Sequence, residues 1–354
     1  MSEHCPVIVL GGSGYVAGEF LRLIAAHPYL ELAAVVSDSQ AGHPVSRAFA
    51  HLAPAYPEQR FTSLTDVDGL LQVLPRVAVF AAAPHGVSAK LLDDFLARAE
   101  TAGTEVHLVD ASADYRFADA DAYLAAYGHA HGAPSRLADF ASGLPEHVRG
   151  TPAKHVGHPG CFATSMLLAI VPLLELGLSH PEFYASGVTG STGAGRQPTD
   201  TTHHPQRHSN LFAYKALAHR HSPEVCALAA AAAGVAPKLH FVPHSGPFAR
   251  GIEMTVMARL KEAANADSLT ERLRAYYAGA PFVHVVADGM PGLKDVAGSN
   301  HARLGVACDD DTVVVSCVID NLLKGAAGGS VQWMNRLLGW PETTGLDAPA
   351  PGWI

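Results

Sequence analysis

Val7-Ile8-Val9-Leu10, followed at once by Gly11-Gly12-Ser13-Gly14-Tyr15-Val16-Ala17-Gly18, is the stretch that decides the fold. The four apolar residues make a short continuous run, as a strand buried on both faces requires. Beyond the glycines, Phe20, Leu21, Ile24 and Ala25 recur at the spacing of one helix face. Strand, glycine turn and helix in that order form a dinucleotide-binding opening, because missing side chains let a pyrophosphate approach the backbone and the helix N-terminus. The glycines read as Gly12-x-Gly14-x-x-Ala17 or as Gly11-x-x-Gly14-x-x-Ala17. Gly11, Gly12, Ser13, Gly14, Tyr15 and Val16 are therefore candidate cofactor contacts, and a tight turn without a ligand is the plain alternative.

Further buried strands follow at Leu32 to Val36, Val77 to Ala83 and Val106 to Asp110, with a helical stretch from about Val87 to Ala102. Alternation of this kind implies a doubly wound parallel sheet, with ligands at the carboxyl ends of its strands. Ser37-Asp38-Ser39 closes the second strand, where an adenosine ribose lies in such folds. Asp38 favours the 2′-hydroxyl of NAD, whereas Ser37 and Ser39 suit the 2′-phosphate of NADP, and the string alone leaves the choice open. Pro84, in the turn Ala83-Pro84-His85-Gly86, sits at another strand end. Ala111 to Phe117 clusters charges, among them Arg116, at a third, and a Pro- and Gly-rich connector places a domain boundary near residue 150.

Length and composition agree with a two-domain globular chain. Its 354 residues, 48% of them hydrophobic, can bury a sizeable core. A formal charge of -9 argues against a nucleic-acid or anionic-membrane partner and favours small molecules. The 5 cysteines are scattered without a C-x-x-C pair, as expected of reduced thiols in a cytoplasmic protein. Neither an export signal nor a membrane span is expected.

One of those cysteines stands apart. In His158-Pro159-Gly160-Cys161-Phe162-Ala163-Thr164 it lies just after a Pro-Gly turn and before the apolar run Ser165 to Val171, at the start of an expected helix. The positive end of the helix dipole there favours thiolate, although an isolated cysteine is more often a small buried apolar residue. Beyond it, longer alternating stretches read as antiparallel strands, with a helix from Ser268 to Ala278, a strand from Val313 to Asp320 and a last helix from about Ser330 to Leu338. Gly190-Ser191-Thr192-Gly193-Ala194-Gly195-Arg196 reads as an anion-binding loop whose amides and Arg196 face a phosphate or carboxylate. His219-Arg220-His221 has a spacing that a strand could use for zinc. A proton-transfer histidine is the better reading, because an acylating cysteine needs a partner that titrates near neutrality, and no metal is expected.

Taken in order, the Gly11 to Gly18 turn, Ala111 to Phe117, Gly143 to Glu146, His158 to Thr164, Gly193 to Arg196, His219 to Glu224, Pro243 to Ile252 and Asp320 to Gly328 resemble the N-acetyl-γ-glutamyl-phosphate reductase family of the semialdehyde dehydrogenase superfamily. The resemblance implies an α/β protein: a Rossmann-type doubly wound parallel sheet, completed by the C-terminal helix, plus a mixed α/β catalytic and dimerisation domain. Residues 1–155 and about 325–354 would form the NADP-binding domain and about 156–324 the catalytic and oligomerisation domain. NADP(H) would be the cofactor and the assembly a homodimer or homotetramer. Cys161 takes the nucleophile's place, and His219 and His221 occupy the His-x-His-x-Pro-Glu string that ends at Glu224. Gly193, Ala194 and Asn321 join the cofactor contacts, and Arg116, Arg196, Glu224 and Arg250 the substrate contacts. The implied reaction is NADPH-dependent reduction of N-acetyl-γ-glutamyl phosphate through a cysteine thioester, in arginine biosynthesis. Two departures stand out: Phe162-Ala163 replaces the family's Tyr-Pro, and Gly329 its Gln. His203 and His204 give the segment a flavour of relatives that reduce an aminoadipate phosphate on a carrier protein, the alternative substrate. An NADP(H)-sensing module without catalysis is the rival of a different class.

Overall fold

A computed structural model describes residues 4–150 and 154–353. The chain divides into two compact units: Met1–Gly143 with Arg149–His158 and Ala327–Leu346, and Leu144–Val148 with Pro159–Ala326 and Asp347–Ile354.

The first unit is built on a seven-stranded sheet, ordered β3-β2-β1-β4-β5-β7-β6, in which every pairing is parallel. Its strands are β1 (Cys5–Leu10), β2 (Leu30–Val36), β3 (Phe61–Thr62), β4 (Arg76–Ala81), β5 (Glu105–Asp110), β6 (Phe140–Ser142) and β7 (His155–Gly157). Val7, Ile8, Val9 and Leu10 of β1 are fully buried, as a central parallel strand demands. The expected helices appear at Tyr15–Ala26 and Ser88–Ala102. Asp114 caps the second, accepting from the amides of Gly86 (2.8 Å) and Ala89 (2.9 Å). The C-terminal helix Gly328–Leu337 returns to this unit, where the Trp333 indole donates to the Gly143 carbonyl at 2.9 Å.

The second unit carries another seven-stranded sheet, ordered β12-β13-β14-β11-β8-β10-β9. Its strands are β8 (Ser179–Thr189), β9 (Phe212–Ala213), β10 (Lys238–Ser245), β11 (Ile252–Leu260), β12 (Val283–Val285), β13 (Ala302–Asp309) and β14 (Thr312–Ile319). This sheet is mixed, which corrects the reading of these stretches as antiparallel throughout: β8 pairs β10, and β12 pairs β13, in parallel. Alternation reports which face of a strand is buried and carries no information on the direction of its neighbour. Between β8 and β10 the chain runs a long excursion containing the helix His221–Ala233, the kind of crossover a parallel pair needs.

The helix Cys161–Glu175 packs on this sheet, with Phe162 through Leu174 buried. It runs through Pro172. Proline offers no amide to the Leu168 carbonyl four residues back, and the Tyr277 hydroxyl fills that vacancy at 2.7 Å. Among the described residues, no helix is long and apolar enough to cross a membrane.

Candidate active site

In the first unit, the glycine turn has the form of a phosphate cradle. Gly11 adopts φ +76°, and a Cβ there would sit 2.5 Å from the Ala83 amide nitrogen. The Gly12 amide closes on the Val36 carbonyl at 2.9 Å. Gly14 caps the Tyr15–Ala26 helix without a side chain, and a Cβ built on it would meet nothing within 4 Å. Glycines that hold the backbone close to the sheet while leaving the first amides of a twelve-residue helix facing open space fit a dinucleotide pyrophosphate. Ser13 and Val16 are half-buried beside them and Tyr15 is exposed. At the end of β2, Ser37 is buried and Ser39 exposed, while the Asp38 carboxylate is taken up by the Leu64 amide at 3.0 Å. Pro84 is exposed and opens a turn, its carbonyl accepting from Val87.

Arg116, expected among the substrate contacts, holds backbone in this structure. It is buried, with Nε on the His158 carbonyl at 3.0 Å and Nη2 on the Ala111 carbonyl at 3.1 Å, so it clasps the chain just before the Pro-Gly turn.

In the second unit, Cys161 is the first residue of its helix, with Gly160 as the cap. The Gly160 amide donates to Glu224 Oε1 at 2.7 Å, and Glu224 is fully buried. Its other oxygen lies 3.9 Å from His221 Nε2. One carboxylate thus ties the start of the cysteine helix to the start of the histidine helix. Glu224, expected among the substrate contacts, is buried here and holds the Gly160 amide, so its visible work is to position the residues around it.

The histidines differ. His221 opens a helix and His219 lies in the loop before it, so the strand geometry suggested for zinc does not arise. Their rings are 4.7 Å apart, and Phe162, next to the cysteine, presents itself edge-on to both, at 5.7 and 6.1 Å. His219 Nδ1 accepts from the His221 amide at 3.3 Å, which leaves its proton on Nε2. Burial, with help from Arg220 and Lys215, pulls His219 down to about 4, so it is neutral at pH 7.

Tyr214 completes the group. Its ring lies 5.7 Å from that of His219; burial, and after it the charge of Cys161, push its hydroxyl up to about 12, while Arg220 and Arg207 pull the other way. Opposite, a Cβ on Gly325 would lie 2.7 Å from the Cys161 Cβ, so this position excludes any other side chain. It belongs to a π-helical turn, Leu323–Ala327, a form frequent at functional sites. Neither Tyr214 nor Gly325 was singled out from sequence; the Lys-Gly-Ala-Ala-Gly string held the signal for Gly325, and Tyr214 had none.

Most amides of the Gly190–Arg196 loop, expected to face an anion, are taken up by carbonyls. Gly190, Ser191 and Thr192 donate to the carbonyls of Gly251, Phe248 and Ala249, and Gly193 and Gly195 donate within the loop. Gly193, Ala194 and Arg196 are exposed, so any ligand there meets Cα surface and the arginine. Asn321, expected at the nicotinamide, accepts from the Gly251 amide at 2.7 Å and donates to Thr192 Oγ1 at 3.0 Å, pinning this loop. Arg250 grips Asp320 with Nε (3.0 Å) and Nη2 (3.1 Å), and Asp320 also accepts from the amides of Gly298, Leu322 and Leu323. Those bonds orient Arg250 and take up much of the fork offered to a substrate carboxylate.

The comparisons with known proteins agree with this layout. Residues 6–153 match the semialdehyde dehydrogenase NAD binding domain and residues 161–321 the semialdehyde dehydrogenase dimerisation domain. An N-acetyl-gamma-glutamyl-phosphate reductase of Rhodospirillum rubrum is 37% identical over 98% of both chains. The chain belongs to the N-acetyl-gamma-glutamyl-phosphate reductase family. It is thus an oxidoreductase of the semialdehyde dehydrogenase type. A (LysW)-L-2-aminoadipate 6-phosphate reductase of Deinococcus radiodurans is 35% identical over 98% of this chain and 97% of its own. The fold is also that of aspartate semialdehyde dehydrogenase II from Vibrio cholerae, with a TM-score of 0.69 at 16% identity, covering 96% of this chain and 99% of that one.

His219, His147 and His155 are all pulled down to about 4 by burial. Between that value and the ordinary 6.5 the unfolded chain binds more protons than the folded one, so stability is complete above about 6.5 and drains away toward 4. Asp110, raised to about 6 by burial, acts in the opposite sense below that pH, but it is one group against three. Calorimetry should show a lower thermal midpoint at pH 5 than at pH 7.5, His219 alone accounting for about 2 kcal/mol. A midpoint that rises on acidification would contradict these burials.

Proposed function

We propose that the chain reduces N-acetyl-γ-glutamyl phosphate to N-acetylglutamate 5-semialdehyde and phosphate, with NADPH, in arginine biosynthesis. The observation that carries the reading is Cys161 at a helix start whose cap is held by Glu224, with His221 on the same carboxylate. The likeness to reductases of that name over nearly the whole chain supports the choice of substrate.

Cys161 attacks the carbonyl carbon, the carbon–oxygen bond to phosphate breaks, and a thioester forms. Reduced nicotinamide, when bound, supplies the hydride that a thioester accepts more readily than a carboxylate would. The resulting thiohemiacetal carries an oxyanion; collapse to the aldehyde returns the sulfur to Cys161. His221, oriented toward the Glu224 carboxylate that also holds the Gly160 cap, is the better-placed acid/base group. His219 stays neutral and offers Nε2–H to the oxyanion. The glycine turn would hold the pyrophosphate, Ser37 and Ser39 the adenosine 2′-phosphate, with Asp38 occupied by Leu64. Pro84, Gly193, Ala194 and Asn321 remain proposed cofactor contacts, and Arg196 and Arg250 proposed substrate contacts. Residues Met1–Gly143, with the returning C-terminal helix, would form the cofactor domain, and the second unit the catalytic one.

The second unit also offers a surface for a second copy. Tyr184 of β8 and Met257 of β11, which pair across its sheet, are 54% and 42% exposed, Leu217 in a nearby turn is 67% exposed, and residues 161–321 match a dimerisation domain. A homodimer through this face accounts for apolar residues left in water.

In the reverse direction, N-acetylglutamate semialdehyde and phosphate should reduce NADP⁺ faster than NAD⁺, and Cys161→Ala should lower turnover more than about 10³-fold with NADPH binding retained. Turnover confined to the carrier-bound aminoadipate semialdehyde would transfer the reading to the LysW-type reaction, and full activity of Cys161→Ala would remove the nucleophile. Met257→Glu should shift the sedimentation of the protein toward a monomer; an unchanged oligomer would place the interface elsewhere.

A further inference from the structure

Arg207 is the conspicuous polar side chain that the mechanism above does not use. It ends a short helical turn, His204–Arg207, is only 8% exposed, and none of its three guanidinium nitrogens has a hydrogen-bond partner among the described residues. A buried guanidinium without partners is costly, and proteins keep such a group where a ligand supplies the missing acceptors. Burial accordingly lowers its pKa.

Its surroundings say where that ligand belongs. Arg207 opens the segment that lies over the cysteine's neighbours: the Tyr214 ring is 5.7 Å from that of His219, and the Leu217 amide donates to the carbonyl of Phe241, whose ring is 5.0 Å from that of Phe162. The chain from Arg207 to His219 is also strained: Ser209, Lys215 and Leu217 adopt φ of 55°, 45° and 58°, three of the four non-glycine residues with positive φ among those described. Strain of this kind persists where a segment must hold a particular shape, and it gathers at ligand sites.

We infer that Arg207 receives an oxyanion group of the substrate beside Cys161, an inference that rests on the reading of Cys161 as the acylated nucleophile. The planar fork suits a carboxylate or a phosphoryl group held bidentately, both of which an acyl phosphate of an amino-acid derivative carries. Nothing in the sequence pointed to this residue, since burial of one arginine among exposed histidines is decided by the tertiary fold.

Arg207→Met removes the charge and keeps the bulk, and Arg207→Lys keeps the charge without the fork. Without ligand, the methionine variant should be at least as thermally stable as the wild type and of the same oligomeric state, because it relieves a buried unpaired cation. In the reverse assay one anionic reactant should show a KM raised about 30- to 100-fold, partly recovered in the lysine variant. A rise confined to the semialdehyde assigns the carboxylate, and one confined to phosphate assigns the phosphoryl group. Independently of the substrate, the preference of Cys161 for iodoacetate over iodoacetamide should fall about tenfold in Arg207→Met. That readout stands even if the wild type fails to turn over the acetylated semialdehyde, which would count against the proposed reaction alone. Unchanged KM values with an unchanged alkylation preference would overturn the inference. So would a methionine variant that loses stability or dissociates, because Arg207 would then be the counter-charge of a partner copy.

Discussion

One buried carboxylate links the residues to which the proposed chemistry of the second unit is assigned. Glu224 accepts the amide of Gly160 and faces the imidazole of His221, joining two helix starts that lie far apart in sequence. Without that hydrogen bond, the amide just before Cys161 would be a buried orphan, and the Pro-Gly turn would have no reason to present the sulfur where it does. Removing one member of such an arrangement strands the others, so the three residues stand or fall together.

The rest of the architecture works by keeping space clear. Gly325 and the π-helical turn around it let one chain segment pass against the Cys161 Cβ. Gly14 leaves open the ground before a helix N-terminus. Asp320, with its three amides and Arg250, fixes the segment that leads out of β14, and Asn321 pins the neighbouring glycine loop. Many polar residues that looked like ligand contacts hold backbone in place.

What could be read beforehand follows from this division. Continuous apolar runs and a glycine turn reveal a parallel dinucleotide-binding sheet because burial on both faces and a close backbone approach leave direct marks in sequence. Cys161 was legible through its position after Pro159-Gly160 and through its ordered match to a family. The sequence left the choice between His219 and His221 open, and the i, i+3 spacing of His221 and Glu224 on one helix is what supports the proposal for His221. Arg116 and Asn321 illustrate the harder limit. A charged or amide side chain at a strand end reads alike whether it meets a ligand or a carbonyl, and only three-dimensional neighbours separate the two. The parallel pairings of β8 with β10 and β12 with β13 escaped for a similar reason, since periodicity is blind to strand direction.

The central claim is that Glu224, through Gly160 and His221, makes the Cys161 sulfur reactive. Its most direct test is the rate of alkylation by iodoacetamide at pH 7, followed by peptide mass spectrometry, in the wild type and in Glu224→Gln, whose amide oxygen can still accept from Gly160. Cys161 should be labelled first, because burial holds Cys5, Cys226, Cys308 and Cys317 above the ordinary thiol range. Its rate should fall about tenfold in the variant, with the thermal midpoint little changed. Equal rates in the two proteins would contradict the account.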